Sequence, residues 1–155
     1  MTVQLKPGDP APEFKLEDGE GNIWQLSDLA GKRVILYFYP ADDTPGCTAE
    51  SCDFRDNYQT FKDANIEVFG VSPQGAASHK RFAEKYSLGF PLLIDADLQA
   101  AEAYGAVAQK PGDFKGIPLK IKRSTFVIDP HGKIELSIYG VKVKGHVDSL
   151  LEALT

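Results

Sequence analysis

Residues 33–47 read RVILYFYPADDTPGC, an apolar run followed by a proline, a polar loop and a cysteine. Aromatic and β-branched residues dominate positions 33–39, which predicts a central strand buried on both faces. The pair Thr44-Pro45 is typical of a helix start, with threonine at the N-cap and proline at the first helical position. This stretch therefore predicts a strand–loop–helix unit with Cys47 in the first turn of the helix.

Further strands and helices are predicted on both sides of this unit. Residues 13–26 predict two short strands around a glycine-rich turn at 18–22, followed by one helical turn at 27–31. After the cysteine helix, the patterns predict strands at 66–71 and 90–94, helices at 78–86 and 98–104, a hairpin formed by 125–129 and 133–139, and a closing helix at 147–154.

This alternation of strands and helices predicts an α/β protein with a mostly parallel sheet. The closing hairpin makes that central sheet mixed, and helices flank it on both faces. The layout predicts a thioredoxin-like fold with an N-terminal β-hairpin extension. Cys47 should lie near the carboxyl end of a central strand, where open α/β sheets bind their ligands.

Length, charge and composition narrow the classes of function. A chain of 155 residues predicts a single domain over residues 1–155. The net charge is −5, and no cluster of lysine and arginine predicts a nucleic-acid partner. No segment approaches the roughly 20 apolar residues of a membrane-spanning helix, and the first residues do not resemble a secretory signal. We therefore expect a cytoplasmic protein without a membrane partner.

The spacing of the two cysteines, Cys47 and Cys52, restricts how they can react. Cα atoms five residues apart on an unbroken α-helix are separated by roughly 8 to 9 Å. A disulfide requires Cα atoms within about 7 Å of each other. The two thiols can bond only if the helix start unwinds or Cys52 leaves the helix, which suits a redox switch better than a permanent cross-link.

A reactive Cys47 also needs a nearby positive charge. The thiolate is the nucleophile, and the free N–H groups and macrodipole of a helix start favour it. If the carboxylates of Asp42, Asp43 and Glu50 faced the sulfur, they would oppose its ionisation. An arginine is the expected counter-charge, and local spacing does not choose among the candidates, which are Arg33, Arg55, Arg81 and Arg123.

Longer motifs resemble one family. Pro40, Thr44 and Cys47 form the pattern P-x-x-x-T-x-x-C of peroxiredoxins. The run YPADDTPGCTAESCDFRD resembles the peroxiredoxin Q group, also called bacterioferritin comigratory proteins. Segments 8–16, 26–40, 123–134 and 141–154 are similar to the opening and the end of that group, so the resemblance covers nearly the whole chain.

The resemblance implies a thioredoxin-dependent peroxidase that reduces hydrogen peroxide and organic hydroperoxides in antioxidant defence. Cys47 matches the peroxidatic cysteine, which becomes a sulfenic acid, and Cys52 matches a resolving cysteine that forms an intramolecular disulfide with it. Thr44 matches a hydrogen-bonding hydroxyl, Pro40 a shielding residue, and Arg123 the missing cation. Thioredoxin or a similar reductant would recycle the disulfide. No cofactor or metal is implied, and an intramolecular pair favours a monomer.

Other interpretations of these residues stay open at this point. Two thiolates and a histidine, either His131 or His146, would suit a copper-handling protein. A dithiol oxidoreductase is a third class, although its usual C-x-x-C spacing is absent. Cys52 could also be a core residue, with an external thiol resolving Cys47.

Several residues carry weaker expectations. We expect His79, His131 and His146 to be solvated surface residues. The segment 109–122 is longer than the resemblance predicts, so its conformation stays open. Trp24 has no assigned role.

Overall fold

The structure is a computed structural model that describes residues 3–155. Its strands are β1 (Lys15–Glu17), β2 (Ile23–Gln25), β3 (Arg33–Phe38), β4 (Ile66–Ser72), β5 (Leu92–Ile94), β6 (Val107–Phe114), β7 (Ile117–Ile121), β8 (Ser124–Ile128) and β9 (Ile134–Tyr139). Its helices are α1 (Pro45–Asp63), α2 (Ala76–Tyr86), α3 (Gln99–Tyr104) and α4 (His146–Leu154), and a 3-10 turn spans Leu26–Leu29.

The central sheet has five strands in the order β5-β4-β3-β8-β9. Strands β3, β4 and β5 run parallel, whereas β8 pairs antiparallel with β3, and β9 antiparallel with β8. A separate antiparallel pair, β1-β2, forms the N-terminal hairpin. The predicted α/β class, the mixed sheet and the N-terminal extension are confirmed.

Strand β3 is the centre of the sheet, and it is buried on both faces as predicted. Val34, Leu36 and Phe38 point into one core cluster, while Ile35 and Tyr37 point into the other. This alternation follows from the two-residue period of a strand. Each fully buried large side chain contributes roughly 1.5–3 kcal/mol of hydrophobic stabilisation.

Different elements cover the two faces. The face that contains Val34 is covered by the N-terminal segment, the 3-10 turn and α3, through Phe14, Leu29 and Tyr104. The other face is covered by α1, α2 and α4. Because α1 follows β3 directly, its first turn lies at the carboxyl end of the central strand, as expected for a parallel α/β unit.

Segment 109–122 forms most of a second hairpin, made of β6 and β7. The turn lies at Lys115 and Gly116, which both have positive φ values of 50° and 86°. This hairpin is a separate two-stranded sheet and is largely exposed. Prolines inside both strands and an irregular register between Val107 and Gly112 hide its strand pattern in the sequence.

The remaining boundaries differ from the predictions by small shifts at element ends. Helix α2 begins at Ala76 instead of residue 78, and α4 begins at His146 instead of residue 147. Within residues 3–155, no helix has the length and apolar character needed to cross a membrane.

Candidate active site

Cys47 lies in the first turn of α1 and is almost completely buried, with a relative exposure of 1%. Thr44 has extended backbone angles, and its carbonyl accepts a hydrogen bond from the N–H of Thr48 at 2.8 Å. Pro45 occupies the start of the helix, as predicted from its fixed φ and missing N–H. The sulfur therefore sits where the free amide groups and the helix dipole favour a negative charge.

Arg123 is the cation in contact with this sulfur. Its Nη2 donates to Cys47 Sγ at 3.3 Å, and its Nη1 donates to Glu50 Oε1 at 2.7 Å. Arg123 directly precedes β8, which pairs with β3, so the sheet brings the guanidinium to the start of α1. Local spacing does not distinguish the four candidate arginines, whereas the pairing of β8 with β3 brings Arg123 to the cysteine.

The other candidate arginines have different surroundings. Arg33 binds Glu135 and Arg55 binds Asp56, both through their side chains. Arg81 is exposed on α2. Among the described residues, none of these three arginines forms a hydrogen bond with the Cys47 sulfur.

Gly46 lets the guanidinium approach the helix. A Cβ atom added at Gly46 would lie 3.0 Å from Arg123 Nη2, closer than ordinary van der Waals contact. A side chain at this position would displace the guanidinium from its place beside Cys47. The glycine of the TPGC motif therefore has a packing reason that the sequence alone did not provide.

Glu50 is fully buried one turn along α1 and accepts from the guanidinium nitrogen, Nη1, that does not contact Cys47. Desolvation raises the pKa of its carboxyl to about 7, and the attraction of Arg123 offsets only part of that effect. Its second oxygen, Oε2, has no hydrogen-bond partner among the described residues. An unpaired buried oxygen of this kind is costly and calls for an explanation.

The two aspartates of the loop bind other groups. Asp42 accepts hydrogen bonds from the hydroxyls of Tyr39 and Ser78, and it pairs with His79 Nδ1 at 2.6 Å. The next residue, Asp43, binds Lys85 at 2.7 Å on the surface. Both carboxylates are therefore committed to partners other than the Cys47 sulfur.

Two of the three expectations for the histidines are wrong. His79 is fully buried, with Nε2 2.8 Å from the carbonyl oxygen of Leu93 and Nδ1 on Asp42. Because a carbonyl oxygen only accepts, Nε2 carries a proton in this arrangement. Long-range packing of α2 against the loop and β5 buries this ring, which a local pattern does not reveal. His131 is exposed, as expected.

His146 is also buried, at the start of α4. Its Nε2 lies 2.8 Å from Thr125 Oγ1, and its ring meets Phe54 edge-on at 6.3 Å. Desolvation lowers the pKa of His146 to about 4, and the positive charge of Arg123 adds to this effect. The ring is therefore neutral near pH 7.

Thr44 and Pro40 lie in the loop before α1. Thr44 is the buried N-cap residue of α1, as predicted, but its hydroxyl donates to the carbonyl of Ala41 at 2.8 Å and does not bind the free N–H groups of the helix. Pro40 is half-buried, and its carbonyl accepts a hydrogen bond from Gln74 at 3.3 Å. Through these hydrogen bonds, both residues help to fix the loop backbone that precedes Cys47.

Cys52 is a free thiol on the same unbroken helix as Cys47, and it is partly exposed. Desolvation raises the pKa of its thiol, Arg55 lowers it, and Asp56 and Asp53 raise it further. With α1 intact, the two Cα atoms are separated by roughly 8 to 9 Å, beyond disulfide reach. The structure is therefore the reduced form of the pair.

The rest of the described chain adds no metal-binding cluster to the site around Cys47. Among residues 3–155, no group of three or more His, Cys, Asp or Glu side chains is arranged to hold a metal ion. A cavity of about 470 Å³ lies near Lys32 and His131, beside Val34 at the start of β3 and so away from Cys47.

Trp24, to which the sequence assigns no role, donates through Nε1 to buried Asp18 at 3.0 Å and fixes the N-terminal hairpin.

A buried cysteine at the helix start after the central strand of a thioredoxin-like sheet, held against an arginine, defines a thiol-dependent oxidoreductase. The chain belongs to the AhpC/TSA family, whose model matches residues 7–137. This membership confirms the resemblance on which the residue assignments were based.

Curated relatives and solved structures agree with this placement. The chain is 46% identical to a putative peroxiredoxin of Mycobacterium tuberculosis, over 99% of this chain and 98% of the relative. It is 42% identical to peroxiredoxin Bcp of Bacillus subtilis, over 99% and 96% of the two chains. A solved structure of Xanthomonas campestris bacterioferritin comigratory protein, from work on its alkyl peroxide reduction activity, is 35% identical with a TM-score of 0.84, covering 99% and 97%.

Proposed function

We propose that this protein is a thiol peroxidase that reduces hydrogen peroxide and organic hydroperoxides, with Cys47 as the attacking thiolate. The observation that carries the proposal is the contact of Arg123 Nη2 with Cys47 Sγ at the start of α1. A fixed cation and a helix N-terminus together stabilise a thiolate and a transition state that carries negative charge on sulfur and oxygen. The Bcp and peroxiredoxin Q names of the relatives, and the alkyl peroxide work on the Xanthomonas protein, support this substrate class.

The first step joins sulfur to oxygen. The Cys47 thiolate attacks one peroxide oxygen, the O–O bond breaks, and water or an alcohol forms from the leaving oxygen after it gains a proton. Cys47 becomes a sulfenic acid. In this proposal Arg123 orients the peroxide and Thr44 supplies a hydroxyl to it, while Pro40 shields the sulfur from bulk water.

The second step requires α1 to open at its start. The Cys52 thiol condenses with the sulfenic acid, which releases water and forms the Cys47–Cys52 disulfide. A dithiol reductant of the thioredoxin type then restores both thiols by exchange. Because the pair lies in one chain, no second subunit is needed, and we propose a monomer. We place the protein in the cytoplasm, where reductants keep thiols reduced.

The direct test is peroxide turnover in a coupled thioredoxin system. Cys47→Ser is expected to abolish turnover and sulfenic acid formation. Cys52→Ser is expected to form the sulfenic acid once but not to turn over with thioredoxin. Turnover in Cys47→Ser at the wild-type rate would overturn the proposal, whereas normal turnover in Cys52→Ser would remove only the resolving role.

The choice of cation is tested separately in single turnover. Arg123→Met is expected to slow the peroxide step by about 100-fold or more, because a preorganised donor to the transition state is lost. Arg81→Met is the matched control, since Arg81 is exposed on α2. Equal rates in the two variants would show that Arg123 is not the cation that the reaction uses.

A further inference from the structure

The guanidinium of Arg123 bridges two groups that both become anions when they lose a proton. Its Nη2 contacts the Cys47 sulfur at 3.3 Å, and its Nη1 contacts the Glu50 carboxyl at 2.7 Å. Two full negative charges against one cation in a buried setting repel each other. The arrangement favours one negative charge and one proton shared between the two acids.

We propose that Glu50, as a neutral carboxylic acid beside the charged Arg123, holds the proton that Cys47 gives up, and that this proton neutralises the oxygen that leaves the peroxide. The proposal rests on the thiol peroxidase activity proposed above and adds the source of the proton to it. Glu50 lies outside the residues that the family pattern marked. From the sequence alone, the charge of Glu50 is expected only to oppose a thiolate at Cys47.

Three observations about Glu50 support this assignment. The side chain is completely buried, so bulk water does not supply or accept its proton directly. Desolvation raises the pKa of its carboxyl to about 7, close to the range in which a group both takes and gives a proton readily. Its Oε2 has no hydrogen-bond partner among the described residues, which leaves that oxygen free to carry a hydrogen.

The protons and electrons balance across the first step. Before the reaction, Cys47 is a thiolate and Glu50 a neutral carboxylic acid. The sulfur gives an electron pair to the peroxide oxygen, the S–O bond forms, and the leaving oxygen takes the electron pair of the O–O bond. As the thiolate charge disappears, Glu50 becomes the stronger acid and releases its proton to the leaving oxygen. When the reductant later restores the Cys47 thiol, that thiol's proton returns to Glu50.

The surroundings of Glu50 determine how its titration would appear. The titratable and charged groups that face the bridge are Cys47 and Asp53 on α1, Arg123 before β8, Tyr37 on β3 and His146 on α4. Asp53 raises the pKa of Glu50, and Arg123 lowers it. Burial raises the pKa of Tyr37 well above its usual value and lowers that of His146, so both stay neutral near pH 7.

The test is the pH dependence of the peroxide step, measured by stopped flow in single turnover without reductant. In wild type we expect the rate to fall as the pH rises through about 7, because Glu50 loses its proton there. Glu50→Gln keeps an oxygen for Arg123 but cannot titrate. The rate of this variant should not fall as the pH rises through 7, and it should be about 100-fold lower than that of wild type at the optimum pH. Asp53→Asn is the matched control, and its rate should still fall with rising pH, at a slightly lower pH than in wild type.

A second measurement does not depend on the folding of the Glu50 variant. Infrared difference spectra of Cys52→Ser, before and after one equivalent of peroxide, should show loss of a protonated-carboxyl band as the sulfenic acid forms. The proposal is overturned if no such band changes, or if folded Glu50→Gln reacts at the wild-type rate and its rate still falls as the pH rises through 7. If peroxide oxidises Cys47 neither in wild type nor in Cys52→Ser, the peroxidase function fails instead.

Discussion

Cys47 and Cys52 are both free thiols of one unbroken helix, α1, which spans Pro45–Asp63. At that spacing the helix holds the two Cα atoms roughly 8 to 9 Å apart, and a disulfide needs them within about 7 Å. The reduced structure thus keeps the two thiols separate. Any bond between them must follow a change in the helix itself.

The location of that change can be predicted from how α1 is anchored. Phe54 and Phe61 are fully buried, so the later turns should stay folded. We expect peroxide-oxidised protein to lose amide protection over residues 45–52 while residues 54–63 keep theirs. Hydrogen exchange with mass spectrometry measures this, with Cys52→Ser as the control that cannot form the disulfide. Unchanged protection at 45–52 in disulfide-bonded protein would contradict the helix-opening mechanism.

Gly46 should matter for rate more than for stability. An alanine Cβ would lie 3.0 Å from Arg123 Nη2, and the guanidinium, at the end of a flexible side chain, would move away from Cys47. We expect Gly46→Ala to slow the peroxide step about tenfold. The unfolding midpoint should not fall, because alanine favours a helix over glycine by up to about 1 kcal/mol.

The matched control for Gly46→Ala is Gly75→Ala. Gly75 precedes α2, and an added Cβ there meets no atom within 4 Å. This variant should keep the wild-type peroxide rate. Equal rates for both alanine variants would mean that the close approach at Gly46 has no role in placing Arg123.

The neighbouring aspartates should differ in their effect on folding. Asp42 is held by Tyr39, Ser78 and buried His79 through both carboxylate oxygens. Asp42→Asn leaves only one accepting oxygen in this buried cluster and should cost about 2 kcal/mol of unfolding free energy. Asp43→Asn loses the exposed ion pair with Lys85 but keeps an oxygen that can accept from the Tyr86 hydroxyl, and it suits the positive φ of 58° at that position. Urea denaturation of both variants compares them, and similar midpoints would argue against a structural role for the buried pair.

His146 should contribute to the loss of stability in acid. Its pKa is lowered to about 4 in the folded protein, so the unfolded chain binds a proton first as the pH falls below about 6.5. Stability linked to this group is therefore complete above about 6.5 and is lost as the pH falls toward 4. We expect His146→Gln, which can keep the bond to Thr125, to reduce the drop in melting temperature between pH 7 and pH 4.5 by a few degrees. His131→Gln, at an exposed position, should leave that drop unchanged, and a matching change in both variants would rule out burial as the cause.

The sequence alone predicted most of the local structure around the cysteines. The apolar run at 33–39, the Thr44-Pro45 start and the helical periodicity after it correspond to β3 and α1 in the structure. The separation of Cys47 and Cys52 followed from helix geometry. These features depend on residues close together in the chain, and backbone hydrogen bonding and hydrophobic periodicity encode them locally.

The tertiary structure decided which distant groups meet. The residues near Cys47 did not identify its cation, and Arg123 lies 76 positions away. It reaches the sulfur because β8 pairs with β3. The same packing buries His79 and His146, and it pairs the Glu50 carboxyl with the Arg123 guanidinium that contacts Cys47. Burial and charge pairing between distant segments depend on how the sheet and helices assemble, and no local pattern of residues records that.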